Sequence, residues 1–467
     1  CITVVSLDST MSSERATIMR HAGTVMVGQL AVMAFSITDT LVAGHFADTA
    51  LAALAVAAAT YVTVHISLMG MLQALLPVWA ELHGAQRHAE VGRSVRQALY
   101  LCAFTAAIGM WALLCPGPLL NWTQVPSDLQ DEVRGYLSIM ALGLPASLLF
   151  RMYSTLNQSL GKPKLVTWVQ VGALTVKVPL SIVLVLGIPD VLPPLGLAGC
   201  AWATLTVMLM MVSLALWLLR TQDFYRPYRI WAPMEKPDST TLLRFARLGL
   251  PSGLAIGVEV TSFTLMSLFI ARLGVVATAS HQIVSNMAAV LYMVPLSLAI
   301  ASSSRVSYWI GAGQMAQARQ ALRAGLHLIL LLSICLAALI GWQRETIASL
   351  YTQSPEVAAL AATLLLWLMV YHVADAVQVF TVFSLRCYNI TVLPLITYTV
   401  LLWGLGLAGG YSVAYGTNFD LSNLPWLSPQ SPIAFWQTGS LALYVTTAVL
   451  LPVLWRAAYR HAPKLPR

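Results

Sequence analysis

The sequence predicts an all-α polytopic membrane protein, with twelve transmembrane helices in two six-helix lobes related by a pseudo-two-fold axis along the membrane normal. Three observations predict it. Of the 467 residues, 58% are hydrophobic and only 9% are charged, outside the range of soluble domains. Apolar stretches of roughly 20 residues, enough to cross a hydrocarbon core of about 30 Å, recur along the whole chain. The Lys and Arg residues gather in every second connection, the pattern of cytoplasmic loops.

Apolar runs bounded by charges, Pro and Gly place spans near 22–43, 51–76, 97–117, 134–158, 165–187 and 196–219, then near 248–271, 279–303, 326–343, 357–385, 391–413 and 436–455. Residues 1–21 precede them as a cytoplasmic segment. Its first ten, CITVVSLDST, have no initiating Met and no charged n-region, so they read as upstream-translated or vector-derived sequence rather than a signal peptide. The first lobe covers 22–219, a basic cytoplasmic loop covers 220–247, the second lobe covers 248–455, and 456–467 form a cytoplasmic tail. All but five of the 26 Lys and Arg fall in the N-terminal segment, alternate loops or the tail, with Arg386 among the loop charges. The exceptions are Arg134, Arg272 and Arg344 on the opposite side, and Arg151 and Lys177 inside spans. An even span count then puts both termini in the cytoplasm of a multi-pass inner (plasma) membrane protein. The net charge of +8 follows the lipid surface rather than nucleic acid.

The two lobes repeat one another. Thr123-Gln124 and Thr352-Gln353 are offset by the same interval that carries Pro126 onto Pro355, Met140 onto Met369 and Gly84 onto Gly313. Six spans per repeat make both halves enter from the same side, as in parallel-repeat transporters. Such a chain supplies its own cleft and is expected to work as a monomer in the bilayer.

Three acids lie inside spans: Asp39 in FSITDTLVAG, Glu259 in AIGVEVTSF and Asp375 in VYHVADAVQVF. A charge at the bilayer centre costs roughly 2.5–3.5 kcal/mol on insertion scales, so such groups face the bundle interior and mark ion or substrate paths unless they are structural. Tyr371 and Gln378 lie one turn either side of Asp375, and Ser262 lies one turn beyond Glu259, which argues for wet surfaces. A desolvated carboxyl can carry a proton near neutral pH. Alternatively, two carboxylates with hydroxyl and amide oxygens form the shell a hard cation such as Na⁺ prefers, with Glu259 and Asp375 as its ligands. Lys177, deep in LTVKVPLSIV, either pairs with an acid of the first half such as Asp39 or snorkels to an interface.

Other signals are weak. The six cysteines share no metal or redox spacing, most of them lying in apolar segments as small hydrophobes, and His65, His281, His327 and His372 have no paired spacing and read as packing residues. Gly161-Lys162 has Leu156 where a phosphate-binding loop needs its first glycine, and no HExxH or GxSxG is present. No enzyme activity and no cofactor is expected beyond a coupling ion.

The segments GVEVTSFTLMSLFIARLG, ASHQIVSNMAAVLYMVPLSLAIASSSRVSYWIGAG and VYHVADAVQVFTVFSLRCY, with ITDTLVAGHFADTALAALAVA and LLPVWAELHGA, resemble the multidrug and toxic compound extrusion (MATE) transporters of the NorM-type branch. The resemblance runs from about Met11 onward. It implies a cation-coupled antiporter that exports lipophilic organic cations and drugs in exchange for Na⁺ or H⁺, from a cleft between two lobes. By matching position, Glu259 and Asp375 are the cation-site acids, with Tyr371, Asn286 and Tyr292 in the adjoining wall, and Asp39 is the first-lobe acid. Two departures stand out. The first span lacks the family's proline, whereas the seventh keeps Pro251, and Lys177 replaces a polar uncharged residue, which shifts coupling toward the second lobe and toward Na⁺. A flippase for lipid-linked sugars, which needs a cationic cavity, and an ion channel, which needs no gradient-dependent saturable efflux, are the competing expectations.

Overall fold

The computed structural model describes residues 2–117, 127–416, 428 and 430–460. Thr123, Gln124 and Pro126 of the repeat, together with Lys464 and Arg467 of the tail, lie outside these residues. Among the described residues the regular structure is helical, apart from an isolated bridge between Ile188 and Leu192 in one turn.

Among the described residues twelve helices are long and apolar enough to cross a membrane: α1 (Ser13–Phe46), α2 (Thr49–Gly84), α3 (His88–Leu114), α4 (Leu129–Ser159), α5 (Pro163–Leu186), α6 (Leu197–Thr221), α7 (Ser239–Ala271), α8 (Val275–Gly311), α9 (Met315–Tyr351), α10 (Pro355–Arg386), α11 (Val392–Tyr415) and α12 (Ile433–Arg460). Each overlaps one expected span, and most outrun it. The ninth was expected over 326–343, yet its helix begins at Met315 and ends at Tyr351. The reason is that a helix keeps satisfying its backbone past the point where charge begins, because long Arg stems carry their heads outward.

Local chemistry sets the ends. Pro163 and Pro355 open α5 and α10 at first-turn positions, where a missing N–H costs nothing. Gly187 ends α5 at φ +76, and a Cβ there would lie 2.6 Å from the Leu192 carbonyl oxygen, so only glycine fits the turn.

The chain divides into two compact units, one of Gly23–Gly253 and one of Leu254–Arg467 with Cys1–Ala22. In the first unit α4 is the hub and packs against α2, α3 and α6; in the second, α10 holds the same place against α8, α9 and α12. Large apolar side chains such as Leu137, Leu144 and Leu148 around α4, and Leu298, Phe380 and Leu450 around α10, fill the respective cores.

Candidate cation sites

In the Gly23–Gly253 unit three helices bring a cluster together. α1 supplies Asp39. α5 supplies Lys177 and Ser181, and α6 supplies Cys200 and Thr204, each pair four residues apart and therefore on one face. Lys177 is fully buried and Asp39 is 5% exposed. The Lys177 Nζ donates to Asp39 Oδ1 at 2.6 Å, to Thr204 Oγ1 at 2.6 Å and to the Cys200 carbonyl at 3.4 Å. Ser181 Oγ donates to Asp39 Oδ1 at 3.3 Å. Thr204 Oγ1 has Asp39 Oδ2 at 3.2 Å and the Cys200 carbonyl at 2.9 Å as acceptors for its proton. Of the two fates open to Lys177, the pair with Asp39 is the one formed.

The Leu254–Arg467 unit assembles a different cluster on α7, α8, α10 and α11. Glu259 comes from α7, Tyr292 from α8, Tyr371, Asp375, Gln378 and Arg386 from α10, and Tyr398 from α11. The charges of Glu259 and Asp375 act on one another, and the phenols of Tyr292, Tyr371 and Tyr398 each lie in the field of both. Asp375 is 7% exposed, Glu259 is half-buried, and Gln378 is fully buried beside Tyr398. Among the described residues neither acid has a basic side chain within salt-bridge distance. The Tyr371 ring meets Trp436 edge to face at 5.4 Å, and the Trp403 indole donates to the Val258 carbonyl at 3.1 Å, fixing α11 beside the Glu259 turn.

Arg386 corrects the charge map read from sequence. It is not a loop charge but a buried one, 3% exposed, with its guanidinium 4.3 Å from the Phe383 ring centroid. Its charge acts on Glu259, while its Nε and Nη1 have no hydrogen-bond partner among the described residues. The spacing could have revealed it, since eleven residues are about three helical turns and place Arg386 on the face of Asp375. Tyr398 was missed because a phenol in an apolar run carries no charge signature. Just after it, residues Thr399–Ala408 of α11 form a π-helix, a feature frequent at functional sites and invisible to hydrophobic periodicity.

Asn286 stands apart. It is exposed and accepts a hydrogen bond from Gln282 at 3.1 Å on its own helix. Arg151 reaches Met69 Sδ at 3.1 Å, and His281 is held by Ser267 and Trp436, both packing arrangements. Among the described residues no three His, Cys, Asp or Glu converge as metal ligands, so an ion at Glu259 and Asp375 must complete its shell with phenol or amide oxygens.

A profile of the MatE family matches residues 25–183 and 251–412, one stretch in each half of the chain. The chain belongs to the MatE family. It is 35% identical over 445 residues to the probable multidrug resistance protein NorM of Aromatoleum aromaticum, covering 95% of this chain and 94% of that one. The corresponding protein of Neisseria meningitidis serogroup B is 30% identical, with 85% of this chain and 86% of that one covered. Solved MatE relatives share the fold: the eukaryotic MATE transporter AtDTX14 superposes with a TM-score of 0.84 at 17% identity, over 97% of this chain and 99% of that one. The Vibrio cholerae MATE transporter VcmN in its bent form gives 0.82 at 15% identity, over 96% and 98%. The family membership carries the fold read from sequence, an all-α polytopic integral membrane protein.

Proposed function

We propose that this MatE protein is a multidrug efflux transporter of the inner membrane, with both termini cytoplasmic, and that it exchanges Na⁺ or H⁺ for lipophilic organic cations by alternating access. The relatives named as multidrug resistance proteins support the transport reading. The observation that carries the coupling reading is the pair of acids at Glu259 and Asp375. They sit in one electrostatic cluster with three phenols and, among the described residues, close on no base. Two carboxylates in so confined a space repel, so a proton or cation that neutralises one is held strongly and released when the surroundings change.

In this reading Glu259 and Asp375 take the coupling ion, the buried Gln378 offers it an amide oxygen, and Tyr371 and Tyr292 line the wall that a cationic drug meets. Asp39, clasped by Lys177, contributes as a neutralised acid. Arg386 lowers the local affinity for cations at Glu259, which helps an ion leave. A flippase for lipid-linked sugars would line its cavity with positive charge for a pyrophosphate, whereas here Lys177 is paired with Asp39 and the buried Arg386 acts on an acid, Glu259.

The test is ethidium accumulation in inverted vesicles, with an inside-high Na⁺ gradient imposed at clamped pH. Gradient-dependent, saturable transport that Glu259→Gln or Asp375→Asn each abolishes at normal expression supports the proposal. Transport that persists in both variants refutes the assigned coupling site, and ungated leakage refutes antiport altogether.

A further inference from the structure

The surroundings of Lys177 have the form of a cation site. Its ammonium carries three protons, and three oxygens of different kinds receive them: the Asp39 carboxylate, the Thr204 hydroxyl and the Cys200 main-chain carbonyl. Ser181 supports the carboxylate from the far side. Carboxylate, hydroxyl and carbonyl oxygens, one charge among them, are the donors a hard monovalent cation takes. All of them project from the helices α1, α5 and α6 with no loop involved, so the shell is held by the packed unit rather than by the lysine. Both charged members are more than nine-tenths buried.

We propose that the Asp39–Ser181–Cys200–Thr204 shell is a Na⁺-type cation site that this chain fills permanently with its own Lys177 ammonium. The tethered cation takes the place of an exchangeable one. The Gly23–Gly253 unit therefore needs no ion from solution, and removing the ammonium opens the shell to Na⁺. The inference concerns binding within one unit and stands whether or not the protein exports drugs.

The experiment uses the full chain, purified in detergent, with Glu259→Gln and Asp375→Asn present throughout so that the other acids bind no Na⁺. Thermal unfolding is followed in NaCl and in choline chloride of equal ionic strength. The parent is expected to respond to the two salts alike. Adding Lys177→Ala should lower the Tm in choline, and NaCl should restore it by about 3 °C or more, rising with the logarithm of Na⁺ as linkage requires. Adding the uncharged pair Asp39→Asn with Lys177→Met should abolish the Na⁺ response. Lys177→Gln, which returns an amide oxygen to the gap, is read in the same way if the alanine variant is not recovered. A lysine variant that responds equally to both salts overturns the proposal. So does failure of both lysine variants to fold in high NaCl, because Na⁺ has then not replaced the ammonium. Efflux is not the readout, so failure here is distinct from failure of the transport reading.

Discussion

In the Gly23–Gly253 unit the mid-span acid Asp39 meets a lysine at 2.6 Å and two supporting hydroxyls, all of them on buried side chains. In the Leu254–Arg467 unit, Glu259 acts on Asp375 and the charge of Arg386 reaches Glu259, yet among the described residues the arginine closes on neither acid and its Nε and Nη1 have no hydrogen-bond partner. The hub helices sharpen the contrast. At the repeat offset that aligns Met140 with Met369, Asp375 of α10 corresponds to buried Ala146 of α4, and Arg386 corresponds to Asn157. Asn157 is satisfied by the Tyr225 hydroxyl at 2.7 Å and the Tyr153 carbonyl at 3.0 Å. One hub has apolar or fully hydrogen-bonded residues at these two positions, while the other carries a buried acid and a buried base that form no ion pair with one another. A duplicated architecture therefore does not imply duplicated chemistry.

The largest effect expected from breaking this contrast is at Glu259 and Asp375, where Glu259→Gln or Asp375→Asn should remove gradient-driven ethidium efflux while leaving the protein inserted. The next is a stability effect in the other unit. Lys177→Ala alone leaves a buried carboxylate without its counter-charge and should cost about 3–5 kcal/mol, whereas Asp39→Asn with Lys177→Met should recover most of that loss. A double-mutant cycle measured in choline chloride checks it. Additive losses would mean that the pair is not the closed unit the geometry indicates. Smaller again is Arg386→Gln. Removing one charge near Glu259 at an effective dielectric of about 20 should raise Na⁺ affinity by about tenfold, read as a lower Na⁺ concentration for half-maximal efflux. Unchanged Na⁺ dependence would leave Arg386 a packing residue.

Much of this was legible because lipid makes charge conspicuous. Asp39, Lys177, Glu259 and Asp375 each interrupt an apolar run, and no helix-length estimate is needed to see them. The twelve spans were legible for the converse reason. Span ends were not, because they were drawn where charge begins, and buried pairs at helix ends carry charge inward. Arg96 on α3 and Arg305 on α8 are examples: Arg305 Nε donates to Glu14 Oε2 at 3.0 Å and Trp309 donates to the same carboxylate. The partners of Lys177 were illegible in a different way. Thr204 and Ser181 look like ordinary helix hydroxyls, and only the packing of α1, α5 and α6 turns them toward one carboxylate. Asn286, chosen by resemblance to a family wall, bonds along its own helix because the four-residue spacing to Gln282 makes that the nearest partner.

The smallest effect comes from the segment joining α6 to α7, which belongs wholly to the Gly23–Gly253 unit and lies outside the spans. Arg96 forms a bidentate pair with Glu235, its Nε donating at 2.8 Å, and Arg96 Nη1 also donates to the Arg229 carbonyl at 2.5 Å. Gln97 donates to the Lys236 carbonyl at 3.0 Å, and Tyr100 to the Glu235 carbonyl at 2.9 Å, so the segment is pinned along α3. The Arg96 hydrogen bonds hold the Glu235 carboxyl at about 2, below its ordinary 4.5. A depressed carboxyl stabilises the fold fully above its unfolded value and loses that contribution as pH falls toward 2. Because the Glu235 side chain is 33% exposed, solvent screening reduces the effect to about 1 kcal/mol. Glu235→Gln should therefore unfold earlier than the parent above about pH 5, and the two melting curves should converge as pH falls from about 4.5 to 2. A gap that stays constant across that window would mean that the pairing is geometric and contributes nothing through charge.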